Sequence, residues 1–352
     1  MTEAGGAVQL VPVLENHRFD EQALAVYLSD HLDGFSGNCT IRQFQGGQSN
    51  PTFHLQSGDR SFVLRKKPPG KLLPSAHAIE REYKVMRALA ATDVPVPEMH
   101  LLCTDEDIIG QAFFVMEHIE GRVFADRILD SCDVAERSAI YDDMNRILAA
   151  LHLVDYRDVQ LEGFGRPEGY ITRQIARWSK QYAATKLVDL PAMDHLMNWL
   201  PENAPDRDET AIAHGDFRLG NLVIHPTEAK VVAVLDWELS TIGHPLADLA
   251  YNCLAYRLPH AGGRGFGDVD IASLGIPREA EYVSAYCQRT NRAQIEDWTF
   301  YLILAMFRIV AIMVGVHRRA VDGNAADAQA LEIANFYPAI SERAWAIASD
   351  NR

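Results

Sequence analysis

The hydrophobic pattern shifts near Gly121 from mostly strand spacing to mostly helical spacing, and that shift narrows the folds open to this chain. Before it, short segments carry strand patterning: CTIRQFQ and PTFHLQS flank GGQSN, and SFVLRKK follows the turn at Gly58-Asp59. Side chains that alternate between two faces mark strands with one face in a core. EMHLLCT and QAFFVMEHI read as two further strands around the acidic turn Asp105-Glu106-Asp107. Between the two groups lies HAIEREYKVMRALA, with Ile79, Tyr83, Met86 and Leu89 on one helical face, ended by VPVP at 94–97. Another helix is expected over 19–32. After Gly121 the spacing is helical at 133–152, 168–186, 190–200, 277–290, 294–317 and 324–349, interrupted by the hairpin LVIHP…VVAVLDW. This order predicts an α+β, bilobal fold. A loosely ordered lead-in spans 1–18, a small β-rich N-lobe 19–118 and a larger, mostly helical C-lobe 119–352, with a hinge at Met116–Gly121.

A length of 352 residues suffices for two lobes with a sizeable core. The net charge of -15 argues against nucleic acid as a partner, because phosphate backbones demand clustered Lys and Arg. The five cysteines are odd in number and form no C-x-x-C, which fits a reduced, cytoplasmic protein. MTEAGGAVQL has neither a basic n-region nor an apolar h-region, so no signal peptide is expected. YLILAMFRIVAIMVGV, 301–316, is broken by Arg308 and is shorter than a bilayer span, so it reads as a buried helix rather than a membrane segment.

The chemistry concentrates in His214–Gly243, HGDFRLGNLVIHPTEAKVVAVLDWELSTIG. Asp216 sits beside Gly215, Asn221 follows five positions later, and Asp236 ends a buried apolar run. Phosphoryl transfer from Mg-ATP asks for such a set: one carboxylate to orient a hydroxyl and take its proton, and two oxygen donors for Mg²⁺ on the phosphates. Asp216 is the candidate base, and Asn221 and Asp236 are the candidate metal ligands. Taken singly, each has a plainer reading, as a turn cap, a turn residue or a strand-end group, but those readings leave the spacing unexplained. Glu238 either supports the metal site or is simply exposed. His214 reads as structural, bridging backbone groups of the loop.

Other segments bear on the nucleotide. GGQSN brings Gly46, Gly47, Ser49 and Asn50 to a turn that could cover phosphates, as well as being an ordinary hairpin turn. FVLRKKP supplies Arg65 and Lys67 as candidate cations for the α/β-phosphates, with Glu82 as ion-pair partner and Glu80 as competitor. A solvated basic strand end is the alternative. FVMEHIEG offers backbone groups near Glu117–Ile119 to adenine, or is a plain linker. RQIARW places Arg173 and Arg177 on one helix face beside Trp178, where they could grip an anionic substrate or simply face solvent. GGRGFGD, 262–268, lacks a strand–helix frame and reads as a flexible loop. Asp248, after Pro245, reads as a helix N-cap.

HGDFRLGN, VLDWE and FVLRKKP resemble the aminoglycoside phosphotransferase/choline kinase-like family, whose fold is related to protein kinases. The resemblance covers roughly 20–345. VLRKKPPG, FGRPEGYITRQIARW, HGDFRLGNL and LDWELSTIGHPLADLAY are in the style of a narrower branch, the kinase-like proteins associated with acyl-CoA dehydrogenases. The resemblance implies ATP, Mg²⁺ and a small-molecule hydroxyl acceptor. For the branch it implies a hydroxylated acyl-CoA and an acyl-CoA dehydrogenase as possible partner. It also implies Asp216 as base, Asn221 and Asp236 on metal, and Glu82 paired with the strand cation. Arg65 stands where many relatives carry Lys, which keeps the charge and changes the geometry. The alternatives are an aminoglycoside, choline or sugar acceptor, or a nucleotide-binding pseudokinase that regulates a dehydrogenase. The kinase-like pattern occupies nearly all of the sequence, leaving no stretch for a flavin dehydrogenase domain.

Overall fold

A computed structural model describes residues 9–45, 50–69, 78–260, 265–322 and 328–350. The chain divides into two compact units: Met1–Ile147 with Arg157–Leu161 and Arg218–Ser240, and Leu148–Tyr156 with Glu162–Phe217 and Thr241–Arg352.

The first unit is built on a six-stranded antiparallel sheet. Its strands are β1 (Leu10–Val11), β2 (Thr40–Phe44), β3 (Thr52–Ser57), β4 (Arg60–Lys66), β5 (Met99–Cys103) and β6 (Phe113–Glu117), in the spatial order β1-β2-β3-β4-β6-β5. The alternation in the sequence sets the faces. Phe53, Leu55, Phe62, Leu64, Phe113 and Val115 all turn to one side, where Leu24 and Leu28 of helix α1 (Glu21–His31) complete a core. Residues of the opposite parity, Val63 and Arg65 on β4 with Phe114 and Met116 on β6, share the other face. Helix α2 (Ile79–Leu89) packs on β5, β6 and the 3-10 turn Trp237–Leu239, carrying Glu82 toward Arg65. The unit also holds the hairpin β8 (Leu222–Ile224) and β9 (Val231–Val234), and most of helix α3 (Val134–Leu153).

The second unit contains helices α4 (Tyr170–Thr185), α5 (Pro191–Glu202), α6 (Pro245–Asn252), α7 (Glu279–Arg289), α8 (Trp298–Val321) and α9 (Tyr337–Asp350). A short antiparallel pair, β7 (Ala211–Ala213) with β10 (Thr241–Gly243), accompanies them. Helix α8 is central, packing against α4, α5, α6 and α9. It is longer than its apolar sequence stretch, so by length and composition it could cross a membrane. However, 72% of its most apolar window is buried inside the protein, as in a core helix.

From residue 19 to Gly121 the sequence expectations for strands and helices match the structure, and the differences elsewhere have local causes. The lead-in contributes β1, whose two residues are too few to show any period. The expected single helix at 324–349 is instead a 3-10 segment, Ala328–Asn335, followed by α9. Pro338, in the first turn of α9, has no N–H and restricts the residue before it, so one continuous α-helix cannot run through. Strands β7 and β10 were not expected, since three residues each carry too little pattern.

Candidate active site

In the first unit, Arg65 is the hub. Its Nε lies 3.0 Å from Glu82 Oε2, its Nη2 2.9 Å from Asp236 Oδ1, and Glu238 Oε2 is 3.9 Å away. Glu82 is 1% exposed and also accepts from Asn50 Nδ2 at 2.8 Å. Burial pushes the Glu82 carboxyl up to about 7 against the pull of Arg65, and the nearby Asp236 and Glu238 add to the rise. These three carboxylates raise the Arg65 pKa even though burial opposes it. Lys67 is engaged elsewhere, with Glu80 at 2.5 Å.

The hairpin brings Asn221 and Asp236 to one end. Leu222 faces Val234 in the register, and the Leu235 N–H donates to the Asn221 carbonyl at 2.8 Å. Strand β9 stops at Val234, so Asp236 is delivered by the turn that follows rather than by the strand itself. Asp236 adopts φ +65°, ψ +59°, a left-handed conformation that costs a non-glycine residue about 1–3 kcal/mol. The fully buried Trp237 beside it, whose Nε1 donates to Val234 O at 2.9 Å, clamps that turn.

In the second unit, His214 and Gly215 precede Asp216, and Gly215 takes φ +84°, a conformation that favours glycine. The loop is held from two sides. Asp248, 3% exposed, accepts the His214 N–H at 2.8 Å and the Gly215 N–H at 2.9 Å, while Arg308 Nη2 donates to Gly215 O at 2.7 Å. His152 Nε2 lies 3.2 Å from Asp248, and its Nδ1 is 2.7 Å from the Tyr286 hydroxyl. Burial alone would raise the Asp248 carboxyl, but the hydrogen bond and charge of His152, together with His214, hold it below its ordinary value. Asp248 is therefore not the expected N-cap. That role falls to His244, and Asp248 lies inside α6 with its carboxylate turned onto the loop. The nearby Pro245 and the helix start made a cap the natural reading, and no local pattern reports a bond across 34 residues. His214 is fully buried, and its Nδ1 accepts the Asp216 N–H at 3.2 Å, in keeping with a structural role.

His244 makes this support pH-dependent. It is fully buried, and its Nδ1 accepts the Leu246 N–H at 3.3 Å, which requires a neutral ring. Burial lowers its pKa from 6.5 to about 4. The folded value lies below the unfolded one, so the stabilisation is complete above pH 6.5 and is lost as pH falls toward 4. The loss across that window should reach about 3 kcal/mol. Urea melts across the same range should show it in the wild type, and His244→Asn, which keeps a capping acceptor, should flatten it.

Glu117 ends β6, its N–H bonded to Glu98 O at 2.9 Å, and Ile119 follows it, half-buried. Arg173 spends its guanidinium on the carbonyls of Glu168 and Arg166 ahead of α4. Arg177 is exposed, with its guanidinium 5.0 Å from the Trp178 ring centroid. Gly46, Gly47 and Ser49 lie outside the described residues, as does part of GGRGFGD.

The profile of the phosphotransferase enzyme family matches residues 40–287. The chain is 45% identical over 345 residues to human acyl-CoA dehydrogenase family member 11, covering 96% of this chain and 44% of that protein. It spans under half the length of the curated relatives it matches. Among solved structures, a Ralstonia eutropha protein assigned provisionally to the aminoglycoside phosphotransferases is 48% identical. It superposes with a TM-score of 0.87 over 95% of this chain and 99% of its own. An aminoglycoside phosphotransferase crystallised with AMP-PNP and hygromycin B shares the fold at a TM-score of 0.61 and 16% identity, covering 93% of this chain and 98% of that one. The chain belongs to the phosphotransferase enzyme family and has its α+β, kinase-like fold.

Proposed function

We propose that this chain is a small-molecule kinase that transfers the γ-phosphoryl group of Mg-ATP to the hydroxyl of a hydroxyacyl-CoA. The observation that carries the reading is the charge balance around Arg65. Three carboxylates, Glu82, Asp236 and Glu238, converge on one guanidinium, a concentration of negative charge that a divalent cation would further offset. Asn221 and Asp236 are hard oxygen donors, and among the described residues no cluster of three or more His, Cys, Asp or Glu forms an all-protein cage. That donor set fits Mg²⁺, which takes one or two protein ligands and completes its sphere with phosphates and water. When bound, the ion would supply charge neutralisation on the phosphates.

In this reading the N-lobe, 19–118, binds the nucleotide and the C-lobe, 119–352, carries the catalytic loop. Arg65, fixed by Glu82 and Asn50, is the phosphate-binding cation, with Lys67 as the alternative. Gly46, Gly47 and Ser49, with the backbone of Asn50, are the proposed cover of the phosphates, the Asn50 side chain being engaged with Glu82, and the backbone near Glu117 and Ile119 meets adenine. Asp216 accepts a hydrogen bond from the acceptor hydroxyl and takes its proton as the oxygen attacks the γ-phosphorus. The bond from that phosphorus to the bridging oxygen breaks, and ADP leaves. The AMP-PNP bound by a fold relative supports the choice of nucleotide. The names of the longer curated relatives support an acyl-CoA acceptor and an acyl-CoA dehydrogenase as working partner.

The test is ADP release from Mg-ATP across hydroxyacyl-CoAs, choline, sugars and aminoglycosides. Turnover confined to CoA thioesters supports the reading. Turnover confined to another class moves the acceptor there, and tight ATP binding without turnover favours a pseudokinase. Asp236→Ala should remove the Mg²⁺-dependent part of ATP affinity, measured by titrating ATP with and without the ion. An unchanged difference takes Asp236 off the metal.

A further inference from the structure

Several arginines of this acidic chain, Arg65, Arg122, Arg146, Arg207, Arg257, Arg292 and Arg318, are in ion pairs with carboxylates. Arg308 is different. It is half-buried on α8 and has no carboxylate partner among the described residues. Its guanidinium lies 4.3 Å from the Tyr251 ring centroid and 5.5 Å from that of Trp178, with Nη2 on the Gly215 carbonyl and a buried Nε that lacks a hydrogen-bond partner. Arg177 lies over the same indole, at 5.0 Å, and also lacks an ion-pair partner among the described residues. Two arginines thus share one aromatic ring beside the residue that precedes Asp216, balanced by π faces and a carbonyl rather than by carboxylates.

Desolvating a guanidinium without an anion is unfavourable, and the aromatic faces offset only part of that cost. A protein with 48 acidic side chains had ample means to supply a partner. We infer that Arg308 and Arg177, set around Trp178 and Tyr251, form an anion-recognition wall of the acceptor site and select acceptors that carry a carboxylate or phosphate near the reacting hydroxyl. The inference rests on Asp216 marking the acceptor site. It assigns the selectivity to Arg308 and Arg177 rather than to Arg173, whose donors are engaged with backbone carbonyls.

The experiment uses the full chain and straight-chain hydroxy acids with the hydroxyl at successive carbons. Each is supplied as the free acid, as the CoA thioester and as the uncharged N-acetylcysteamine thioester. Binding is followed by calorimetry alongside turnover. The wild type should prefer one or both anionic forms, and the form preferred identifies carboxylate or CoA phosphate as the anion. Arg308→Met should raise KM and Kd for that form about 10- to 100-fold more than for the uncharged thioester, the loss of one charge-assisted bond, while any fall in kcat common to both forms reports its support of Gly215. Arg177→Gln, at an exposed position, should shift the same constants in the same direction and serves if Arg308→Met does not fold.

Equal affinity for charged and uncharged acceptors in the wild type would overturn the inference. So would a fall in kcat with KM unchanged for every acceptor, which would make Arg308 a prop for Gly215 alone. Anion binding that depends on Arg308 without phosphorylation supports this inference and counts against the kinase reading. Phosphorylation that ignores acceptor charge does the reverse.

Discussion

Asp216→Asn is expected to lower turnover by ~10²–10⁴ while ATP binding and thermal stability stay close to wild type. The amide keeps the size and most of the hydrogen bonding of the carboxylate but cannot take a proton from the acceptor. Asp216 is partly exposed, and the loop beneath it is held by Asp248 and Arg308. Single-turnover kinetics with saturating Mg-ATP separate the proton-transfer defect from a binding defect. Turnover within a few-fold of wild type would remove Asp216 from its role.

Asp248→Ala should act on the other axis, lowering stability by about 3–5 kcal/mol in urea unfolding. The substitution strands the buried N–H groups of His214 and Gly215 and leaves His152 without its carboxylate. Gly215 depends on those bonds to keep its positive φ, so turnover should fall as well. Asp248→Asn retains one carbonyl oxygen and should lie between alanine and wild type. The two positions should therefore dissociate, with Asp216→Asn inactive but stable and Asp248→Ala unstable first. A stability loss below about 1 kcal/mol for Asp248→Ala would show that water or a shifted loop replaces its bonds.

Much of the geometry around Arg65 was legible because local pattern carries it. The alternation along β3 and β4 predicts which face Arg65 shares, and the helical spacing of IEREY predicts that Glu82 can turn toward the sheet. The pairing of Arg65 with Glu82, and of Lys67 with Glu80, separates two cations that the sequence left as alternatives. The turn geometry of Asp236 was not legible, because an aspartate at a strand end is compatible with many backbone conformations. The role of Asp248 was misread for a related reason, since proximity to Pro245 is visible in sequence and contact with His214 is not.

The sequence by itself determined the α+β class, the order of strands and helices from residue 19 to Gly121, and a loop and hairpin that carry Asp216, Asn221 and Asp236. Hydrophobic period and turn chemistry act over a few residues, and a chain records them directly. Only the tertiary structure decided that Arg65 meets Asp236 across 171 residues, that Asp248 holds the loop across 34 and that Arg308 reaches Gly215 across 93. Those contacts form because burying the sheet face and α8 brings distant segments together, and their buried polar groups must then find partners among whatever lies alongside.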